Sequence, residues 1–165
     1  MRYRRRPVLL GLLAGLAATL SGGAARAANA PPLPFGGPFT LTGQDGRRVT
    51  DADFRGRFML VFFGYTSCPD VCPLDLATMA EALDRLGALA DRVQPLLVTV
   101  DPARDTAGVL RGFVTAFHPR LIGLTGSEAE IAAVARAYRV HRRKVLLAPD
   151  DPLGYAIDHG SLTYL

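Results

Sequence analysis

The 165-residue chain is poor in soft ligands and cross-links: it has two cysteines, three histidines and three methionines. Two cysteines exclude a disulfide-rich scaffold and a four-cysteine zinc site. The chain also lacks an uninterrupted apolar stretch of about 20 residues, the length that comfortably spans a bilayer. Its longest such run, Val8 to Leu20, has 13 residues. No internal repeat occurs, and no low-complexity tract lies beyond the N-terminal leader.

That leader has a recognisable plan. Arg2, Arg4, Arg5 and Arg6 precede the apolar run, and small residues lead to Ala25-Arg26-Ala27. A basic segment, a short apolar segment and an Ala-x-Ala site describe a signal peptide over residues 1–27. Extended by the small residues to Ala25, the same segment reads alternatively as an uncleaved N-terminal membrane anchor. Arg5-Arg6 also matches a twin-arginine export signal. Either way, export to the periplasm or the outer face of the inner membrane is expected.

An excess of positive charge is missing too, once the leader is set aside. The whole chain carries +4, but residues 28–165 hold 14 basic and 15 acidic residues, a net −1. The composition is no evidence for nucleic-acid binding. The local basic cluster Arg139, Arg142, Arg143 and Lys144 reads as a solvated surface or a docking patch.

Residues 28–38, rich in Ala, Pro and Gly, read as a linker, and residues 39–165 as one domain. Phe39–Thr42 and Arg47–Thr50 flank an Asp45-Gly46 turn, a hairpin signal. Continuous apolar runs at Phe58–Phe63 and Val93–Val100 predict strands buried on both faces. Leu74, Ala77, Met79, Leu83 and Leu86 recur at helical spacing, predicting a helix to about Leu89. Asp105-Thr106 caps a second helix, expected to run to Phe117. After a short strand at Leu121–Leu124, Ser127 and Glu130 form the capping box of a third. Val140–Leu147 and Tyr155–Leu165 read as extended. The order implies an α/β fold, with a mainly parallel sheet, flanking helices and an N-terminal β-hairpin.

Both cysteines lie in one motif, Cys68-Pro69-Asp70-Val71-Cys72. It follows a buried strand and opens a helix, where free N–H groups and the positive dipole favour thiolate. A static disulfide here would close a very short loop and gain little. The position, at the C-terminal end of a strand, suits a ligand. The dithiol fits a reversible disulfide or a soft metal. CxxxC is not the CxxC of thioredoxin-type oxidoreductases, and this points toward a metal. A third ligand is then needed, from imidazole or thioether. His118 stands before Pro119 at a helix end, and His141 lies among arginines. His159 follows Asp158, whose carboxylate can orient a ligating imidazole, although strand neighbours face opposite ways. Met59 and Met79 fit core positions.

Three segments together resemble the signature of the Sco/SenC family of copper chaperones. They are Phe63-Gly64-Tyr65-Thr66-Ser67-Cys68-Pro69-Asp70-Val71-Cys72-Pro73, Val98-Thr99-Val100-Asp101-Pro102-Ala103-Arg104-Asp105-Thr106, and Asp158-His159 with Tyr164-Leu165. The resemblance runs from about Phe35 to the last residue. It implies a thioredoxin-like fold and a copper ion, as Cu(I) and also Cu(II), held by Cys68, Cys72 and His159. It further implies delivery to the binuclear copper site of cytochrome c oxidase subunit II, or reduction of that site's cysteines. Within the second segment, Asp101, Arg104 and Asp105 read as loop and cap structure. Asp70 is placed to tune the thiols or to contact a partner.

The chain departs from the family pattern at two places. Gly160 stands where Ser or Thr commonly follows the histidine. The chain also stops at Leu165, where the family continues with a turn, a strand and a helix. The expectation is a domain lacking its C-terminal strand and helix, with an exposed edge on the last strand. Two rival functions use the same residues. In a periplasmic thiol-disulfide oxidoreductase, Cys68 and Cys72 are a redox-active dithiol and His159 is dispensable. In a redox or copper sensor, a partner surface reads the state of the site.

Overall fold

The computed structural model describes residues 35–165. The leader 1–27 and most of the linker lie outside the described residues. Phe35 stacks at 5.4 Å on Tyr164, and the Gly36 N–H donates to the Ala137 carbonyl at 2.8 Å. The end of the expected linker is therefore packed on the domain.

The hairpin pairs β1 (Thr40–Gly43) with β2 (Arg48–Thr50), antiparallel. A 3-10 turn at Asp51–Phe54 leads to β3 (Phe58–Gly64). Then follow α1 (Val71–Leu86), β4 (Val93–Thr99), α2 (Ala107–Val114), β5 (Ile122–Thr125) and α3 (Glu128–Ala137). The chain ends in β6 (Arg142–Leu146), β7 (Tyr155–His159) and β8 (Thr163–Tyr164). Among the described residues no helix is long and apolar enough to cross a membrane.

Six strands form one sheet in the order β2-β1-β5-β4-β3-β8. Its centre is parallel: β3 pairs with β4 from Phe58↔Val93 to Gly64↔Thr99, and β4 with β5. The flanks are antiparallel, β1 on β5 and β8 on β3. Phe62, Phe63, Leu96, Leu97 and Val98 are fully buried, as a parallel centre covered on both faces requires. Cys72, Leu76, Met79 and Leu83 form the buried stripe of α1. Met59 and Met79 pack in the core as the sequence suggests.

Two helices end earlier than their periodicity predicts. α1 stops at Leu86, where Gly87 takes φ 53° and the chain tightens into a 3-10 turn. α2 stops at Val114, three residues before Phe117. The caps match expectation: Thr106 Oγ1 accepts from the Val109 N–H, and Ser127 with Glu130 forms a capping box. Past the end of α3, Arg139 adopts φ 56°, and the Val140 N–H closes on the Ala135 carbonyl at 2.8 Å. This left-handed stop turns the chain into β6.

The main departure concerns Tyr155–Leu165. It is not one extended segment. β7 pairs only with β6, in a separate two-stranded ladder, and β8 joins the main sheet against β3. Tyr164 anchors β8 among Phe35, Phe63 and Tyr138, with ring centroids 5.4 to 5.9 Å apart. β8 is the outer strand of that sheet.

Candidate metal centre

The main sheet and the small hairpin each contribute to one cluster. β3 ends at Gly64, and the loop Tyr65–Asp70 carries Cys68 before α1 begins. The Cys68 N–H is held by the Tyr65 carbonyl at 3.2 Å. Cys72 lies in the first turn of α1 and is fully buried, whereas Cys68 is partly exposed. Both are free thiols. His159 arrives from the last residue of β7, with its Nε2 3.4 Å from Cys72 Sγ. The ligand atoms of Cys68, Cys72 and His159 all lie within 4.8 Å of one another.

The histidine is oriented by backbone. Its Nδ1 donates to the Gly160 carbonyl at 3.0 Å, leaving the Nε2 lone pair facing the sulfurs. Asp158, the expected orienting carboxylate, faces away: its Oδ2 lies 3.0 Å from Arg143 and 3.3 Å from His141. The cause is strand alternation, which sends adjacent side chains to opposite faces. Gly160 acts through its carbonyl, which any residue has, and the space around it is open. A Ser or Thr there is not needed for this contact. Tyr65 stacks edge-on against His159 at 5.6 Å, and its hydroxyl accepts the Ile157 N–H at 3.4 Å.

The electrostatics differ from the helix-dipole expectation at Cys72. Burial pushes its thiol above the ordinary value, and the neighbouring Cys68 sulfur adds to this. The Tyr65 backbone N–H and the Asp75 carboxylate act more weakly and in opposite directions, the first lowering and the second raising the thiol. A buried sulfur loses more by desolvation than the first turn of a helix returns. Asp75 itself has one buried carboxylate oxygen with no hydrogen-bond partner among the described residues. The sequence offers one signal for it, the i,i+3 spacing from Cys72.

The donor set suits a soft metal. Bonds of about 2.3 Å to sulfur and about 2.0 Å to nitrogen can bridge a sulfur–nitrogen edge of up to ~4.3 Å. The 3.4 Å edge between Cys72 and His159 lies inside that reach. Two thiolates and a neutral imidazole match Cu(I), Cu(II) or Zn(II) better than Mg²⁺ or Ca²⁺.

The remaining candidates lie elsewhere. His118 Nδ1 accepts from the Arg120 N–H, and its Nε2 faces Asp84 at 3.6 Å. His141 is exposed beside Asp158. Asp105 is wholly buried and holds the dithiol loop: its carboxylate accepts from Thr66 N–H, Thr66 Oγ1 and Thr99 Oγ1 at 3.1, 2.6 and 2.6 Å. Asp70 is exposed and makes no side-chain cap to α1. Arg142 is not the surface residue its basic surroundings suggest, because its guanidinium turns inward onto the Val100 carbonyl.

The SCO1/SenC family model matches residues 27–165. The chain belongs to the SCO1/SenC family. "Protein SCO1 homolog 1, mitochondrial" of Arabidopsis thaliana is 43% identical over 132 residues, covering 79% of this chain and 39% of that protein. "Protein SenC" of Rhodobacter capsulatus is 44% identical over 131 residues, covering 79% of this chain and 58% of that one. The structure of Bradyrhizobium japonicum ScoI with copper bound superposes with a TM-score of 0.73 at 45% identity, covering 79% of this chain and 81% of that one. The SCO1/SenC domain thus has the thioredoxin-like architecture implied by its motifs. The chain spans about two fifths to three fifths of the length of these two curated relatives.

Proposed function

We propose that this SCO1/SenC protein binds one copper ion through Cys68, Cys72 and His159 and passes it to a target protein. The observation that carries this reading is the convergence of two sulfurs and an oriented imidazole lone pair within 4.8 Å. Thiolates suit Cu(I), and the imidazole extends the site to Cu(II). Copper here is cargo. A three-donor site leaves a position for an incoming ligand, so transfer proceeds by ligand exchange. Cys68, the less buried of the two cysteine residues, is the donor an incoming group reaches first.

The family resemblance supports cytochrome c oxidase subunit II as the recipient. Residues 1–27 act as the export signal or anchor that places the domain in the periplasm or at the outer face of the inner membrane. The reading predicts one copper per reduced chain. Cys68→Ser and Cys72→Ser each lower its retention in both oxidation states, and His159→Ala lowers retention of Cu(II), measured by metal content and oxidation state after desalting. Undiminished Cu(I) binding in a cysteine variant, or undiminished Cu(II) binding in His159→Ala, removes that residue from the site.

A thiol-disulfide reaction is the second reading, favoured by two free thiols whose sulfurs lie within 4.8 Å of each other. Cys68 thiolate would attack a partner disulfide and release one partner thiolate. Cys72 would then attack the mixed disulfide, leaving an oxidised pair here and a reduced dithiol on the partner. The raised Cys72 thiol slows that second step, because thiolate is the nucleophile. Insulin reduction by the copper-free His159→Ala variant separates the readings. Full activity there favours the oxidoreductase.

A further inference from the structure

His159 stands on a hairpin outside the main sheet, so something must fix that hairpin against the dithiol. Two guanidinium groups do so. Arg142 lies directly opposite His159 in the β6–β7 ladder. Its Nε and Nη2 donate to the Val100 carbonyl at 3.0 and 2.7 Å, and it pairs with the Glu128 carboxylate on α3. The Val100 N–H in turn donates to the Gly64 carbonyl at 2.9 Å, where the dithiol loop leaves β3. The ladder partner of His159 is therefore bonded to the strand end next to the one that launches the cysteines.

Arg104 grips the other end of β7. Its Nη1 donates to the Tyr155 carbonyl at 3.1 Å, its Nε pairs with Asp101, and its Cζ sits 3.8 Å over the Tyr155 ring. The Tyr155 hydroxyl donates to Asp101 at 3.0 Å, closing the cluster. Both arginine side chains are mostly buried, at 18% and 23% exposure for Arg142 and Arg104. Each spans a carbonyl and a carboxylate at once, which the planar fork of arginine allows and a lysine ammonium does not reproduce.

We propose that Arg104 and Arg142 are positioning residues that hold His159 on the dithiol and thereby set how well the site keeps Cu(II) relative to Cu(I). The inference rests on the copper reading above. Two thiolates satisfy Cu(I) without help, whereas Cu(II) depends more on the imidazole nitrogen. Loosening the hairpin therefore removes Cu(II) and spares Cu(I).

The test uses the full chain with Arg142→Lys, Arg104→Lys, Glu128→Gln and His159→Ala. Four quantities are read for each: Cu(I) affinity, Cu(II) affinity, nitrogen hyperfine coupling in the Cu(II) electron paramagnetic resonance spectrum, and apo-protein Tm. The two arginine variants should lose about 10- to 100-fold in Cu(II) affinity, the range typical of residues that orient a ligand. They should also lose nitrogen coupling and retain Cu(I) affinity. Glu128→Gln, which removes one exposed carboxylate and no buried group, should move Cu(II) affinity in the same direction by less, and keeps the test open if an arginine variant fails to fold. Equal losses of Cu(I) and Cu(II) accompanied by a lowered apo Tm would overturn the proposal, because that is what a purely structural role gives. So would arginine variants that bind Cu(II) like wild type while His159→Ala does not. A wild-type chain that binds neither oxidation state defeats the copper reading itself, and the inference falls with it.

Discussion

Gly64 and Cys72 meet with no room for a methyl group between them. A Cβ on Gly64 would lie 3.0 Å from Cys72 Sγ and 2.7 Å from the Phe62 ring. Both neighbours are fully buried, so neither can swing into solvent. Gly64→Ala should therefore destabilise the domain by about 1–3 kcal/mol, the usual cost of overpacking a core. It should also displace the Cys72 sulfur and weaken copper retention. Denaturant unfolding of the apo protein and a competition assay for Cu(I) measure the two effects separately.

Copper uptake should release protons. Burial holds Cys72 as the neutral thiol, and a metal binds only the thiolate. Below the thiol's raised value, each unit of pH should therefore strengthen binding about tenfold for the Cys72 proton alone. Calorimetry in buffers of different ionisation enthalpy gives the proton count. An affinity independent of pH between 6 and 8 would contradict it.

The same shift makes the copper-free domain sensitive to alkali. A raised native value means that the folded chain holds protons the unfolded chain has lost. The resulting stability is complete below the ordinary thiol value of 9.0 and declines as pH rises above it. Tyr65, Tyr138 and Tyr164, each raised by burial from 10.0, add to the loss at higher pH. Apo Tm should fall continuously above about pH 9. In the copper-loaded protein the Cys72 part of the decline should vanish.

Asp75→Asn should let Cys72 ionise at lower pH, because the Asp75 charge is one of the groups that pushes the thiol up. The pH dependence of alkylation or of thiolate absorbance reads this directly. A thiol titration identical to wild type would remove Asp75 from the electrostatics of the site.

Asp105→Ala should cost about 2–4 kcal/mol, since three hydrogen bonds to one buried carboxylate are lost together. Copper affinity should fall with it, because Thr66 leads into the Cys68 loop. Thr50→Ala supplies the control. It removes the capping box of the Asp51–Phe54 turn, which leads into the end of β3 away from the dithiol loop, costs about 1 kcal/mol, and leaves copper binding unchanged. Urea unfolding and copper titration of both variants provide the comparison.

Features legible in the sequence are those with local causes. The apolar runs give β3 and β4, the Asp45-Gly46 turn gives the first hairpin, and Thr106 and Ser127 mark their helices by cap chemistry. The dithiol was visible from its place between a buried strand and a helix. Family resemblance singles out His159; nothing local separates it decisively from His118 and His141. The hidden part is non-local. Alternation alone cannot show that β7 and β8 belong to different sheets, because only the partners β6 and β3 decide it. Arg142 looks like its exposed neighbour Arg143 until the Val100 carbonyl appears beside it. Arg104 reads correctly as loop structure, yet its hold on Tyr155 links elements 51 residues apart.

The 87-residue separation between Cys72 and His159 has a consequence for how the fold can be read from its ligands. The two sulfurs sit on one short loop and need little of the chain to stay together, whereas the imidazole joins them only when the β6–β7 hairpin is docked. On the proposed copper reading, Cu(I) held by the sulfurs reports the dithiol loop alone, and Cu(II) held with the imidazole reports the docked hairpin as well.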